Sequence, residues 1–246
     1  MDKMLYVAMS GAKQLMLAQS VNAQNLANVS TTGFRADLAS FISRDIKGPG
    51  FDATAMPEMN DSGVDFHQGP VMTTGNDLDV AIQGEGFIAV QGKNGNEEYT
   101  RAGDFQVTST GQLLTGAGEP VLGNGGPIAL PPYSKMEIGG DGTISIVPLG
   151  QDINSLAAVD RIKLVKPDIK NMQKSEDGLL VMKDGSIAEP DATVTVVPGS
   201  LEGSNVNAIE AMTQMIDLSR QYEFQIKLMK EAEDNDTSSG KLLSMN

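Results

Sequence analysis

An α+β fold is predicted for this chain of 246 residues by three observations. Apolar residues recur three or four positions apart at both ends, over 3–28 and 205–233. Between them run short alternating apolar segments, and glycine-containing turn signals separate those segments. The expected architecture is a pair of amphipathic terminal helices, pairing in a coiled-coil-like layer, with a central antiparallel β-rich domain. The expected divisions are an N-terminal helix over 1–33, an extended connector over 34–76, a β-rich domain over 77–200 and a C-terminal helix within 201–246.

The first helix is read from Leu5, Met9, Ala12 and Met16, spaced by four, three and four. Ala8, Leu15 and Ala18 widen that stripe, and Ala23 and Leu26 extend it, while Lys3, Ser10, Lys13, Ser20 and Gln24 mark the polar face. Small residues such as Ala8, Gly11, Ala12 and Ala18 permit close approach of another helix. Thr31-Thr32-Gly33 is read as the stop, with glycine free to take a positive φ.

Residues 34–47 carry a weak helical pattern through Leu38, Phe41, Ile42 and Ile46, and Gly, Pro, Met and Asp dominate from Gly48 to Asn76. From about Asp77 the period shortens to two. Strands are predicted at Leu78–Ile82, Phe87–Val90, Phe105–Val107, Gln112–Leu114, Ile128–Leu130, Met136–Ile138, Thr143–Val147, Ile162–Leu164, Leu179–Val181 and Val194–Val197. Gly84-Glu85-Gly86, Lys93-Asn94-Gly95, Asp141-Gly142 and Asp184-Gly185 are the turns between them. Residues Gln151–Asp160 read as a short helix or a loop.

The last helix opens on the capping box Asn207-Ala208-Ile209-Glu210. Its apolar positions are Ile209, Met212, Ile216, Tyr222, Ile226 and Met229, against Glu210, Gln214, Asp217, Arg220, Lys227 and Glu231 on the other side. Beyond Glu233 the sequence is a weak helix former until Leu242 and Leu243. No helical pattern lies in the middle of the chain to cover either stripe. Uncovered apolar faces of this length point to another copy or another protein. The alternative is that the two helices pair within one monomer, which buries little and leaves their outer faces wet.

Composition narrows the function. A formal net charge of −14 with 18 scattered basic residues disfavours nucleic acid. The absence of cysteine removes disulfides, thiolate catalysis and cysteine metal sites. No stretch approaches the ~18 apolar residues of a membrane span, and Met1-Asp2-Lys3 leads into a broken stripe instead of a secretory signal. His67 is the single histidine and has no evident catalytic partner. Gly84-Glu85-Gly86-Phe87 lacks the remainder of a phosphate loop, and Asp141-Gly142-Thr143 lacks the ligand series of a calcium loop. No catalytic residue, metal ligand or cofactor site is therefore predicted. Two converging carboxylates among the 32 acidic residues, as in a cell-wall glycan hydrolase, are the rival reading, and a secreted adhesin is a third.

The segment Asn22-Ala23-Gln24-Asn25-Leu26-Ala27-Asn28-Val29-Ser30-Thr31-Thr32-Gly33-Phe34-Arg35 resembles the N-terminal signature of bacterial flagellar rod and hook proteins. Asn25, Leu26, Ala27, Asn28, Thr32, Gly33 and Phe34 match that motif, and Gln24 stands where the family has asparagine. Asp77–Phe87, Tyr99–Phe105 and Gly203–Asn207 are similar to further blocks of the family, in the family's order. The segments Arg220–Met229 and Ala232–Asp236 look most like its proximal-rod branch, with the distal-rod branch as neighbour. The resemblance implies terminal helices in an inner tube and a β-rich part outside it. It implies uncleaved export by the flagellar type III apparatus, and a non-enzymatic subunit of the basal-body rod where it crosses the periplasm. The implied partners are other rod proteins in a helical array that carries torque from motor to hook. Leu5, Met9, Ala12, Met16, Leu26, Ile209, Met212, Ile216, Tyr222, Ile226 and Met229 are then the expected assembly interface.

Overall fold

A computed structural model of the chain describes residues 3–45, 55–59, 63–150 and 155–244. The chain divides into two compact units, one of Met1–Asn28, Ala36–Asp65 and Val206–Asn246, the other of Val29–Arg35 and Phe66–Asn205. Two long helices and short antiparallel strands make it an α+β protein.

The first unit holds α1 (Lys3–Ala27), β1 (Asp37–Leu38), β2 (Phe41–Asp45), β3 (Ala55–Met59), β4 (Gly63–Val64) and α2 (Ala208–Ser244). The helices pack on each other and run antiparallel: Asn22 of α1 lies against Ala211 of α2, and Gly11 faces Gln225. Each helix thus has a partner inside the chain: the two pair within the monomer, the alternative weighed above against cover by other molecules alone. Small side chains explain it. Ala8, Ala12 and Ala18 of α1 are buried, as are Ala211, Leu218 and Ala232 of α2. A Cβ added at Gly11 would already stand 3.3 Å from the Gln225 side chain. Asn22 is buried and donates from Nδ2 to the Ala211 carbonyl at 2.7 Å, a polar tie at the end of an otherwise small-residue seam.

The cap at Asn207 forms as its residue type dictates. Its side-chain oxygen accepts from the amides of Ile209 (3.0 Å) and Glu210 (3.4 Å), and its carbonyl from Ala211 (2.9 Å). Helix α2 runs on through the weak segment after Glu233 to Ser244. There the Thr237 and Ser238 hydroxyls donate to the Glu233 and Asp234 carbonyls four residues back, so these polar side chains turn onto the helix instead of ending it. The weak helical pattern at 34–47 is overridden. Phe41–Asp45 pairs residue by residue with Ala55–Met59, and Asp37–Leu38 with Gly63–Val64, so the ladders take the backbone groups that a helix would have used. Ile46 lies outside the described residues.

The second unit is antiparallel throughout its named strands. It begins with β5 (Val71–Thr73), β6 (Val80–Gln83), β7 (Phe87–Gln91), β8 (Glu97–Thr100), β9 (Phe105–Val107), β10 (Leu113–Thr115), β11 (Leu122–Gly123) and β12 (Gly126–Pro127). It continues with β13 (Tyr133–Ile138), β14 (Thr143–Pro148), β15 (Ala157–Arg161), β16 (Leu164–Val165), β17 (Met172–Lys174), β18 (Leu180–Met182), β19 (Thr195–Pro198) and β20 (Ser200–Glu202). The largest sheet has the order β16-β7-β8-β18-β17, a three-stranded sheet has β13-β14-β15, and β6 with β19 and β5 with β20 form two-stranded ladders. One core is shared by the five-stranded sheet, the three-stranded sheet and the β6–β19 ladder. Val80, Ile88, Phe105, Leu113, Ile144 and Val194 are among its fully enclosed members.

Most predicted runs are strands here, with exceptions that carry a reason. Ile128 and Leu130 are buried but their run makes no ladder; it is tied by single contacts to Val121, Leu113, Gln112 and Gly111. Part of Gln151–Asp160 is strand β15, and 151–154 lie outside the described residues. Strand β8 was invisible to periodicity because its sequence is Glu-Glu-Tyr-Thr, yet it lies between β7 and β18 with Glu98 and Tyr99 buried.

Candidate functional site

The residues predicted for assembly separate into three groups. Met9 and Met16 on α1 are 54% and 56% exposed, and Ile209, Met212 and Ile216 on α2 are 78%, 53% and 54% exposed. Ile226 is also exposed. Leu5, Leu26, Tyr222 and Met229 are half-buried, and Ala12 is enclosed in the seam between the two helices. Each helix therefore carries two apolar faces. The face of small residues closes on the partner helix, and the face of large residues stays in water. Ile209, Met212 and Ile216 fall at i, i+3 and i+7, one continuous strip. Sequence reasoning did not single out Phe224, which is 59% exposed on α2, or Leu17, also exposed on α1. Both lie off the main stripe, where periodicity gives no signal.

The motif residues near Gly33 serve a different purpose, within each unit. Asn25 donates from Nδ2 to the Asp37 carbonyl and accepts from the Asp37 amide, both at 2.8 Å, so its amide group mimics a strand and pins β1. Asn28 turns its amide onto the Gln24 carbonyl (2.9 Å). Helix α1 has already ended at Ala27, so Gly33 is not its cap. With φ +66°, Gly33 donates its amide to the Glu202 carbonyl, and a Cβ there would meet the Arg101 carbonyl carbon at 2.2 Å. Only glycine fits that approach. Phe34 lies under the Lys174 ammonium at 4.0 Å, and Lys174 also donates to the Arg35 carbonyl.

At the centre of this region two arginines share one carboxylate. Glu202 is fully buried and accepts from Arg35 (2.5 Å), Arg101 (2.8 Å) and the Gly69 amide (3.1 Å). Arg101 also donates to the Gly84 carbonyl (2.7 Å), which is the role of the Gly84-Glu85-Gly86 turn, and its guanidinium lies 5.2 Å from the Phe87 ring centre. Burial pulls the Arg101 guanidinium below its ordinary value, opposed by the charge and hydrogen bond of Glu202. The cluster joins residues near 35, 69, 84, 101 and 202, so it closes the second unit across distant parts of its sequence. A cleft of about 140 Å³ lies beside it, lined by Thr31–Arg35, Thr100, Arg101 and Lys174.

Possible catalytic groups do not converge among the described residues. His67 is exposed, and its carbonyl accepts from Asn205. The Asp141 carboxylate caps its own turn through the Thr143 amide and hydroxyl, which hold it below the usual carboxylate range. No group of three potential metal ligands occurs among the described residues, and no helix there is long and apolar enough to cross a membrane. Glu98 is a buried carboxylate with no partner for Oε2; burial, and then the charges of Asp177 and Glu119, hold it above its ordinary value. Tyr99 beside it is pushed up to about 12 by burial, and its hydroxyl accepts from the Ala188 amide.

Paired terminal helices with large apolar side chains left in water, together with a β-rich unit closed by a buried ionic cluster, define a structural protein of the assembling kind. The chain belongs to the flagellar basal-body rod protein family. Residues 5–35 match the family model for flagella basal body rod proteins, 81–146 the D1 domain of the flagellar hook FlgE/F/G proteins, and 197–242 the C-terminal region of flagellar basal body rod FlgEFG proteins. It is 41% identical to the flagellar basal-body rod protein FlgF of Escherichia coli over the whole of both chains. It is 36% identical to FlgF of Caulobacter vibrioides, with 93% of each chain covered. It is 30% identical to FlgG of Buchnera aphidicola from Schizaphis graminum, with 91% of this chain and 93% of the relative covered.

Proposed function

We propose that this chain is a non-enzymatic subunit of the proximal flagellar rod, joining other rod proteins in a helical array that carries torque from motor to hook. The observation that carries this reading is the apolar strip of Ile209, Met212 and Ile216, left in water although α2 already has a helical partner. Burying a side chain of this size contributes about 1.5–3 kcal/mol, so a few such residues per contact, repeated along a helix, give a stiff shaft. A patch that meets a different patch on the next copy without ring closure propagates such an array. The subunit reaches that site through the flagellar type III export apparatus, uncleaved, and neither nucleic acid nor membrane insertion enters its function. The distal-rod reading is kept because FlgG relatives match over nearly the same length.

Basal bodies purified from motile cells, with subunit order read along the rod, test the proposal. The chain is expected next to the motor-proximal end. Its location at the hook-proximal end would favour the distal reading, and its absence from basal bodies would remove both. Release of fragments from peptidoglycan by the purified chain would revive the hydrolase.

A further inference from the structure

The side chains exposed on the two helices are unusual in one chemical respect: Met9, Met16 and Met212 are thioethers, each more than half in water. Met9 and Met16 are one heptad apart on α1, and Met212 lies between Ile209 and Ile216 on α2. The protein has 14 methionines, no cysteine and no tryptophan. Its thioethers are thus its most readily oxidised side chains. Elsewhere the methionines are treated differently: Met136 and Met172 are 4% exposed within the second unit. Met72 is an exposed exception, on β5 in that unit.

We propose that Met9, Met16 and Met212 form a modification site for peroxide-class oxidants, and that their sulfoxide form blocks assembly. The proposal rests on the reading of the large-residue faces of α1 and α2 as the assembly surface. In the step itself, a lone pair on Sδ attacks one oxygen of hydrogen peroxide. The S–O bond forms, the O–O bond breaks, and the departing hydroxide takes the proton of the transferred oxygen and leaves as water. The sulfur is oxidised by two electrons and the peroxide reduced by two. A flexible apolar side chain becomes a polar one, and at Met212 the new oxygen falls between two isoleucines. Burying it there leaves an acceptor with no donor among its strip neighbours, which is costly. An assembled subunit, whose strip is covered, resists the same oxidant. The modification therefore acts on subunits waiting to assemble. With no cysteine, the chain has no thiol of its own to reverse it; an external sulfoxide reductase is required.

Purified full-length chain is treated with hydrogen peroxide and its peptides weighed over time. Assembly is then read as pelleting with basal bodies that lack their own copy of the subunit. Met9, Met16 and Met212 are expected to gain oxygen well before Met136 and Met172, and the oxidised chain to lose pelleting. A variant carrying Met9→Leu, Met16→Leu and Met212→Leu is compared only with its own untreated sample, and is expected to keep after peroxide whatever pelleting it shows before. Oxidised wild-type chain that pellets as untreated chain does would overturn the proposal, as would equal loss in the leucine variant, which would assign the effect to Met72 or another residue. An untreated chain that never pellets would remove the rod reading and with it the block on assembly, while the order of oxidation would still decide whether the three methionines are the reactive set.

Discussion

The helical unit and the β unit use apolar residues in opposite ways. In the β unit large ones fill a core, with Ile82, Ile88, Ile128 and Ile144 at or near zero exposure, while others such as Leu149 and Ile187 stay on its surface. In the helical unit the buried residues are mostly alanines, and the large ones, Met9, Met16, Ile209, Met212 and Ile216, are outside. A seam of alanines allows two helices to approach closely but removes little apolar area from water, so its hydrophobic stabilisation is small. The β unit has a core of large side chains of its own. The helical unit leaves its larger side chains in water, and these are the ones proposed above for assembly.

This contrast is open to direct attack, beginning with the buried ion cluster. Glu202→Ala leaves Arg35 and Arg101 buried without a carboxylate and is expected to cost about 3–5 kcal/mol, read as a fall in the denaturant midpoint of the β unit. Next, Ile144→Ala opens a cavity in the same unit and is expected to cost roughly 2–5 kcal/mol in the same measurement. A loss below 1 kcal/mol in either would mean that the β unit is looser than its burial indicates.

Glu98→Gln works in the other direction. The folded state holds the Glu98 proton more tightly than the unfolded chain does, since burial and the Asp177 and Glu119 charges raise it. The stability it contributes is complete below the unfolded carboxylate range and is lost as pH rises through the raised value. The variant is therefore expected to melt above wild type at pH 7, by about 1 kcal/mol from removal of a buried, incompletely paired charge, and to equal it near pH 3. A gain that persists in acid would assign the effect to packing instead.

The smallest effect on stability belongs to the helical unit, and it sharpens the contrast most. Ile216→Asp changes an exposed position and is expected to move monomer stability by less than about 0.5 kcal/mol, while abolishing incorporation into rods and hence motility. Normal motility in this variant would show that the exposed strip has no part in assembly.

Reading the sequence for period and turn chemistry found the two helices, the Asn207 cap and most strands, because those signals are local. It failed at β8, where Glu97-Glu98-Tyr99-Thr100 has no apolar alternation and burial is imposed by its neighbours in the sheet. It failed at Phe41–Asp45, where a ladder outweighed a short helical pattern. At Gly33 the residue was noticed for its freedom of φ, but its function as the only residue able to lie against Arg101 depends on a partner 68 positions away. Glu202 carried no signal whatever; one glutamate among many becomes the centre of a cluster only once the chain has closed around it.

What the amino-acid order determined alone was the kind of element at each end, the placing of turns, and the presence of large apolar residues on helices in a cysteine-free acidic chain. Those properties depend on neighbours within a few residues, where backbone geometry sets the period. Tertiary structure decided which of two apolar faces each helix closes on the other and which it leaves to water. It also decided which charges are buried together. Both outcomes depend on the meeting of segments nearly two hundred residues apart, as Asn22 meets Ala211 and Arg35 meets Glu202.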